Sequence, residues 1–281
     1  MAILKEVERK GLWGDGETAS LFIALIAILP PAAVLSAVTP AVAKLQLADL
    51  EQTGTVVGRL SGWATAGALA GTFAAGFVLV PLLPDRTTLY ALGAALVIAG
   101  VVLGARPHLL AAAALLALAG LGIGSPCQTE SVYFCANVVP DEARASGRTL
   151  VLDDLRHSYV DLEDPRYLEF AYVRWIGGLI DARRPRDVVF LGGGGFTLPR
   201  YVEATVPGSR SLVLEVDREL IELTRARLGL RTSDRLRVRA GDARITMRDV
   251  PSRSADMVVG DAFGGLSVPW HLTTQEFLAD V

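Results

Sequence analysis

Cysteine and histidine are scarce in this 281-residue chain, and charge is missing from much of its first half. The two cysteines, Cys127 and Cys135, fall in no metal-ligand spacing, so no metal is expected. Two are also too few for a secreted disulfide scaffold, and unpaired thiols in a reducing compartment are the expectation. The net charge is −3, with no basic stripe interleaved with aromatic residues, so nucleic acid is not an expected partner. Long stretches of the first half lack charge, while most of the Arg, Asp and Glu follow Asp141. Such an asymmetry marks two domains of opposite character.

A bilayer core takes roughly 20 apolar residues per helix. After a polar segment at 1–19, four runs fit or nearly fit within a transmembrane region at 20–125, at 20–43, 60–83, 88–105 and 108–125. None contains an internal Lys, Arg, Asp or Glu, and His108 stands at the edge of the last. Without intramembrane charge there is no proton relay or ion pair to suggest a pump. Pro30-Pro31 should kink the first span. Gly67 and Gly71 form a G-x-x-x-G step that permits close helix packing. The charged start has no apolar core and the first span no cleavage site, which excludes a secretory signal. Lys5, Arg9 and Lys10 before the first span, against Lys44 and Arg59 after it, favour an inward N-terminus. With four spans, both ends and the domain that follows would be cytoplasmic.

Beyond the spans the pattern becomes that of a soluble domain. A small β-rich part with a helix is expected at 129–182: a strand at 131–139, a hairpin of 149–152 and 157–160 around Asp153-Asp154, and a helix at 167–181. Leu168, Ala171, Tyr172, Trp175, Ile176 and Leu179 would form that helix's inner face. From 183 to 281 strands and helices alternate, predicting a Rossmann-like, methyltransferase-like parallel sheet. Its strands are read at 188–191, 212–215, 236–240 and 257–260, with a helix at 218–228. Thr197 is the expected N-cap of the first helix, with Pro199 in its first turn.

The chemistry gathers at the strand ends. Asp187-Val-Val-Phe-Leu-Gly-Gly-Gly-Gly195 runs a strand into four glycines, Gly192, Gly193, Gly194 and Gly195, where backbone can approach a cofactor. Glu215 follows at the spacing of an acid that meets a ribose hydroxyl pair. A glycine run alone marks only a tight turn; strand, glycines, helix, strand and terminal acid in that order point to a nucleoside cofactor. Asp242 and Asp261 close two further strands. Asp242 reads equally as a helix cap, whereas Asp261 ends the strand beside the glycine loop and would face the reactive end of the cofactor.

These residues resemble the spermidine synthase family, in particular its bacterial members fused to a multi-span membrane segment. The resemblance rests on Leu150-Val-Leu-Asp-Asp-Leu-Arg-His-Ser-Tyr-Val-Asp161, the glycine loop, Leu214-Glu-Val-Asp217, Gly241-Asp242, Asp261 and Pro269-Trp-His-Leu-Thr-Thr-Gln-Glu-Phe277. It implies transfer of an aminopropyl group from decarboxylated S-adenosylmethionine to an amine or polyamine. Glu215 would hold the ribose, Asp242 the adenine amino group, and Asp261 would be the catalytic acid that deprotonates the attacking amine. Asp217 joins the cofactor-binding set, and Tyr133, His157 and Tyr167 are candidates for substrate binding. The implied setting is the bacterial inner membrane, with a homodimer allowed.

The departures matter equally. The family's G-G-G-D has Gly195 in place of the Asp that contacts the aminopropyl amine. Its D-x-x-D pair becomes Asp261 with Gly264, and two glutamines of the site appear as Phe134 and Leu168. The nucleoside half of the site is kept while the amine half is depleted. Losing carboxylates that pair a buried cation costs on the order of several kcal/mol of binding. Two alternatives follow: a methyltransferase using S-adenosylmethionine, or a transporter-like membrane protein whose soluble domain senses a nucleoside or polyamine. Since 273–281 only begins the next helix, the sheet is expected to be C-terminally truncated, the chain a fragment, and the edge of the fourth strand uncovered.

Overall fold

The computed structural model describes residues 16–46, 53–102, 104, 106–107, 111, 125–263 and 267–281. It divides into two units, Met1–Leu83 with Thr88–Pro126 and Pro84–Thr87 with Cys127–Val281.

The first unit is helical. Helix α1 spans Gly16–Gln46 and continues through Pro30-Pro31. Helix α2 starts at Thr53–Ala74, passes through a π-helical turn at Ala75–Leu79 and ends in Val80–Leu82. Helix α3 spans Asp85–Val102. Thr53–Leu82 and Asp85–Val102 are long and apolar enough to cross a membrane. A Cβ added at Gly67 or Gly71 would meet nothing within 4 Å, so the close packing expected of that step is not used among the described residues. Nearly all of the span expected at 108–125, and residues 1–15 of the polar segment at 1–19, lie outside the described residues.

The second unit opens with an antiparallel sheet in the order β1 (Thr129–Glu130), β2 (Cys135–Pro140), β3 (Gly147–Leu152), β4 (Leu155–Asp161). The strand expected at 131–139 is therefore split, because the chain reverses between β1 and β2. That reversal brings Cys127 and Cys135 to a Cα separation of 5.2 Å, and the two form a disulfide. The expectation of free thiols is corrected: short-range folding that the spacing did not reveal makes the cysteines neighbours. The β3–β4 hairpin turns at Asp153-Asp154, with Asp153 left-handed at φ 55°.

Helix α4 (Ala171–Arg183) buries Val173, Gly177 and Ile180. The inner face expected for it is corrected, since Trp175 is 75% exposed and Leu179 59%. Gly177 explains the choice: a Cβ there would lie 2.5 Å from Leu168, so the close approach needs a residue without a side chain.

The parallel sheet then forms in the order β7-β6-β5-β8, from β5 (Asp187–Leu191), β6 (Arg210–Glu215), β7 (Leu236–Ala240) and β8 (Met257–Gly260). This Rossmann-like order makes β5 central, and Val188 to Leu191 are accordingly buried on both faces. Helices α5 (Thr197–Thr205) and α6 (Arg218–Arg227) follow β5 and β6; short α7 (Ala243–Thr246) follows β7, and α8 (Gln275–Asp280) comes last. Phe190, Phe196, Val202 and Val213 centre the core on one face of the sheet. Leu191, Leu214, Met247 and Phe277 fill the other. Leu150, Leu152 and Val160 of the hairpin pack on Leu220 and Leu223 of α6, which fixes the small sheet against the first βαβ unit. Among the described strands β8 pairs with β5 alone.

Candidate functional site

The carboxyl ends of β5, β6, β7 and β8 open into a cleft of about 330 Å3. Its polar wall carries Gly192, Gly194, Glu215, Asp242, Asp261 and His271, and Leu152, Leu214, Leu220 and Leu272 supply apolar surface. The volume and the sparse polar groups suit a small organic ligand with one flat apolar part.

The glycine loop lines this cleft through Gly192 and Gly194. Gly192 takes φ +94°, and a Cβ there would lie 2.6 Å from the carbonyl oxygen of Asp261. Only glycine permits both the left-handed backbone and the close passage of the strand end that carries Asp261. The loop is tied to Glu215, whose Oε2 accepts from the amides of Gly193 (2.7 Å) and Gly194 (3.3 Å). Glu215 Oε1 accepts from the Asp217 amide at 2.9 Å. A carboxylate offers about four acceptor positions. Three are used by these backbone amides.

Gly195 is buried behind the loop. Its amide donates to Ser158 Oγ at 3.0 Å, and a Cβ would come within 2.9 Å of Ser158 Cβ and 3.0 Å of Val160 Cγ2. Ser158 and Val160 thus fill the space into which a side chain at 195 would grow. Thr197 does not cap α5. The N-cap is Phe196 in the left-handed region, and Thr197 Oγ1 donates to the Tyr159 carbonyl at 2.7 Å.

Asp242 is the helix cap that the sequence allowed, and it also lines the cleft. Its Oδ1 caps α7 through the amides of Arg244 (2.7 Å) and Ile245 (3.3 Å). Its Oδ2 lies 3.1 Å from His271 Nε2 on the cleft wall. Asp217, by contrast, is withdrawn from the cleft. It is 1% exposed, caps α6 through the Leu220 amide, and accepts a 2.6 Å hydrogen bond from Ser131 Oγ. Burial pushes its carboxyl above the ordinary range.

Of the substrate candidates, Tyr133 and His157 line the cleft. Burial holds His157 below the usual imidazole range, so it is a neutral group there at pH 7. Tyr167 lies elsewhere; its hydroxyl donates to Glu169 Oε2 at 2.6 Å, and the Arg144 guanidinium sits 3.9 Å above its ring.

Asp261 borders both the cleft and a second, smaller cavity that includes Glu169 and Tyr172. Burial pushes its carboxyl above the ordinary range, and the neighbouring Tyr172 hydroxyl partly offsets this. Burial and the same Asp261 push the Tyr172 phenol upward. Glu169, Tyr172, Ser158 and His271 are site residues that the sequence reading did not assign. Tyr172 was counted as core by its spacing, Ser158 and His271 fall inside the resembling segments, and Glu169 lies outside them, just before the helix. Gly264 lies outside the described residues. Among the described residues no group of three or more His, Cys, Asp or Glu could hold a metal ion.

Comparison with known proteins matches no family model. The chain is 30% identical over 125 residues to a polyamine aminopropyltransferase of Vibrio vulnificus, covering 43% of this chain and 42% of that protein. It is 27% identical over 125 residues to a polyamine aminopropyltransferase of Chromobacterium violaceum, covering 44% and 48%. A probable spermidine synthase from Corynebacterium glutamicum is similar in structure with a TM-score of 0.49 and 32% identity, over 53% of this chain and 56% of that one. The chain spans less than half the length of the curated relatives it matches. Over that matched part the chain is similar in sequence to polyamine aminopropyltransferases.

Proposed function

We propose that the second unit is an aminopropyltransferase-like domain that binds decarboxylated S-adenosylmethionine and transfers its aminopropyl group to a small amine. One observation carries this reading: Asp261, a half-buried carboxylate, borders both the cleft and a second, smaller cavity. A nucleoside bound along Glu215 and Asp242 would bring its sulfonium to the glycine loop, and an amine in the second cavity would meet it there. An alkylammonium is not a nucleophile until it loses a proton, and Asp261 is the carboxylate placed to take it. The amine nitrogen then forms a bond to the aminopropyl carbon as the carbon–sulfur bond breaks. The electron pair stays on sulfur, leaving a neutral nucleoside thioether.

A second reading, a methyltransferase using S-adenosylmethionine, draws on Gly195. The space behind it is filled by Ser158 and Val160, so no carboxylate can stand there to select the decarboxylated form. Calorimetry with both nucleosides separates the two, because tighter binding of S-adenosylmethionine would sink the aminopropyl reading. Asp261→Asn tests catalysis itself. Turnover is expected to fall by about 10²–10⁴-fold with nucleoside affinity retained. A purely sensing domain would show no turnover to lose.

We further propose that the first unit anchors this domain in a bacterial inner membrane with the domain on the cytoplasmic side. Support comes from the two apolar helices Thr53–Leu82 and Asp85–Val102, on which Trp63, Phe73 and Phe77 are exposed and suited to lipid.

A further inference from the structure

A groove of about 660 Å3 in the second unit shares no lining residue with the cleft. Arg200 of α5, Arg225 and Arg227 of α6, and Arg231 of the loop after α6 line it, against a single carboxylate, Glu203. The rest of its lining is apolar or glycine. Cations at a helix C-terminus offset the helix dipole, and the Leu228 carbonyl accepts from Arg200 at 2.9 Å. That role accounts for a guanidinium or two at the end of one helix, and not for four drawn from three elements.

The pairing of these cations is incomplete. Among the described residues no hydrogen bond or ion pair holds the side chain of Arg227 or Arg231. Arg225 meets Glu222 at 2.5 Å, but both side chains are exposed, and such a pair gives way at little cost. Arg200 is half-buried, and its second hydrogen bond goes to the Asp161 carbonyl at 3.5 Å, so both of its partners are neutral. Glu203 is itself engaged, accepting from Ser233 Oγ at 3.1 Å. Guanidiniums without bonded carboxylates select an anion, and their planar forks match the oxygens of phosphate. Four forks exceed what one phosphate needs and suit two neighbouring ones.

We propose that this groove binds a ligand carrying two neighbouring phosphates, held by Arg200, Arg225, Arg227 and Arg231. That chemistry has two sources, a soluble diphosphate or the headgroup of an anionic phospholipid. The inference stands on the groove alone and is independent of the reading of the cleft.

The test titrates the full chain in phosphatidylcholine nanodiscs calorimetrically with pyrophosphate. Wild type is expected to bind saturably, and Arg227→Gln with Arg231→Gln to weaken binding by about tenfold or more with the melting temperature retained. Arg248→Gln, an exposed arginine outside the groove, is expected to bind as wild type does. Replacing part of the phosphatidylcholine by cardiolipin tells the sources apart. Loss of pyrophosphate binding there supports a lipid headgroup as the occupant, and retained binding supports a soluble diphosphate. No saturable binding by wild type, unweakened binding by the double variant, or an equal loss in Arg248→Gln would overturn the proposal and leave these arginines as solvated helix-end charges.

Discussion

At the scale of single residues, the candidate site depends on positions where one atom more would not fit. Gly195→Ala drives a methyl into Ser158 and Val160 and should destabilise the protein by about 1–3 kcal/mol, measured by denaturant unfolding. Asp261 presents the opposite case, a group whose ionisation is costly where it stands. Its folded-state carboxyl is raised by burial, so between the ordinary carboxylate range and that raised value the native state binds more protons than the unfolded chain. Stability is therefore lost as pH rises through that window. Asp261→Asn should melt above wild type at pH 7, and the gap should close below about pH 4, where the acid is neutral in both states. The same raised value places the acid limb of a pH–rate profile above the ordinary carboxylate range. Glu215 and Asp261 were legible because each ends an apolar strand after or beside glycines. Asp217 was not, because its withdrawal depends on Ser131, 86 residues away in sequence.

Elements were legible where one periodicity dominated and misread where two faces competed. The four parallel strands could be read from short apolar runs, since burial on both faces leaves no polar alternation. Helix α4 has apolar residues on more than one side, and its true inner face is marked by Gly177, which no hydrophobic pattern reveals. The β1–β2 reversal was hidden for the same kind of reason: β1 has only two residues. That reversal gives the cysteines their role. The loop closed by Cys127 and Cys135 carries Ser131, which bonds Asp217, and Tyr133 and Phe134, which line the cleft. Cys127→Ser should lower stability by about 2–3 kcal/mol, as expected for closure of so short a loop. It should also weaken nucleoside binding, because the aromatic edge of the cleft loses its anchor. Unfolding curves and calorimetry on the variant and wild type check both effects. A wild type unaffected by reductant in either measurement would mean that β1–β2 pairing alone holds the loop.

For the molecule as a whole, the join of an apolar helical unit to a Rossmann-like domain was legible from the distribution of charge alone. If the first unit is the proposed anchor, the side of the membrane on which the domain would stand is a sharper matter, because two observations bear on it with opposite sign. With the four spans expected from the sequence, Lys5, Arg9 and Lys10 would favour a cytoplasmic domain, as would the proposed nucleoside co-substrate. The Cys127–Cys135 disulfide is of a kind that persists on the oxidising side. A cytoplasmic placement requires that the bridge open in growing cells and close under oxidation, which would couple the Tyr133–Phe134 edge of the cleft to the redox state of the compartment. These are the only cysteines in the chain, so thiol labelling reports on this domain and on nothing else. Rapid alkylation of intact cells with a permeant maleimide, followed by mass analysis, is expected to capture both thiols. A membrane-impermeant maleimide, applied to cells after gentle reduction, is expected to label neither until the membrane is opened. Labelling of intact reduced cells by the impermeant reagent would place the domain outside. There the disulfide would be a permanent staple, and the donor nucleoside would have to be supplied across the membrane.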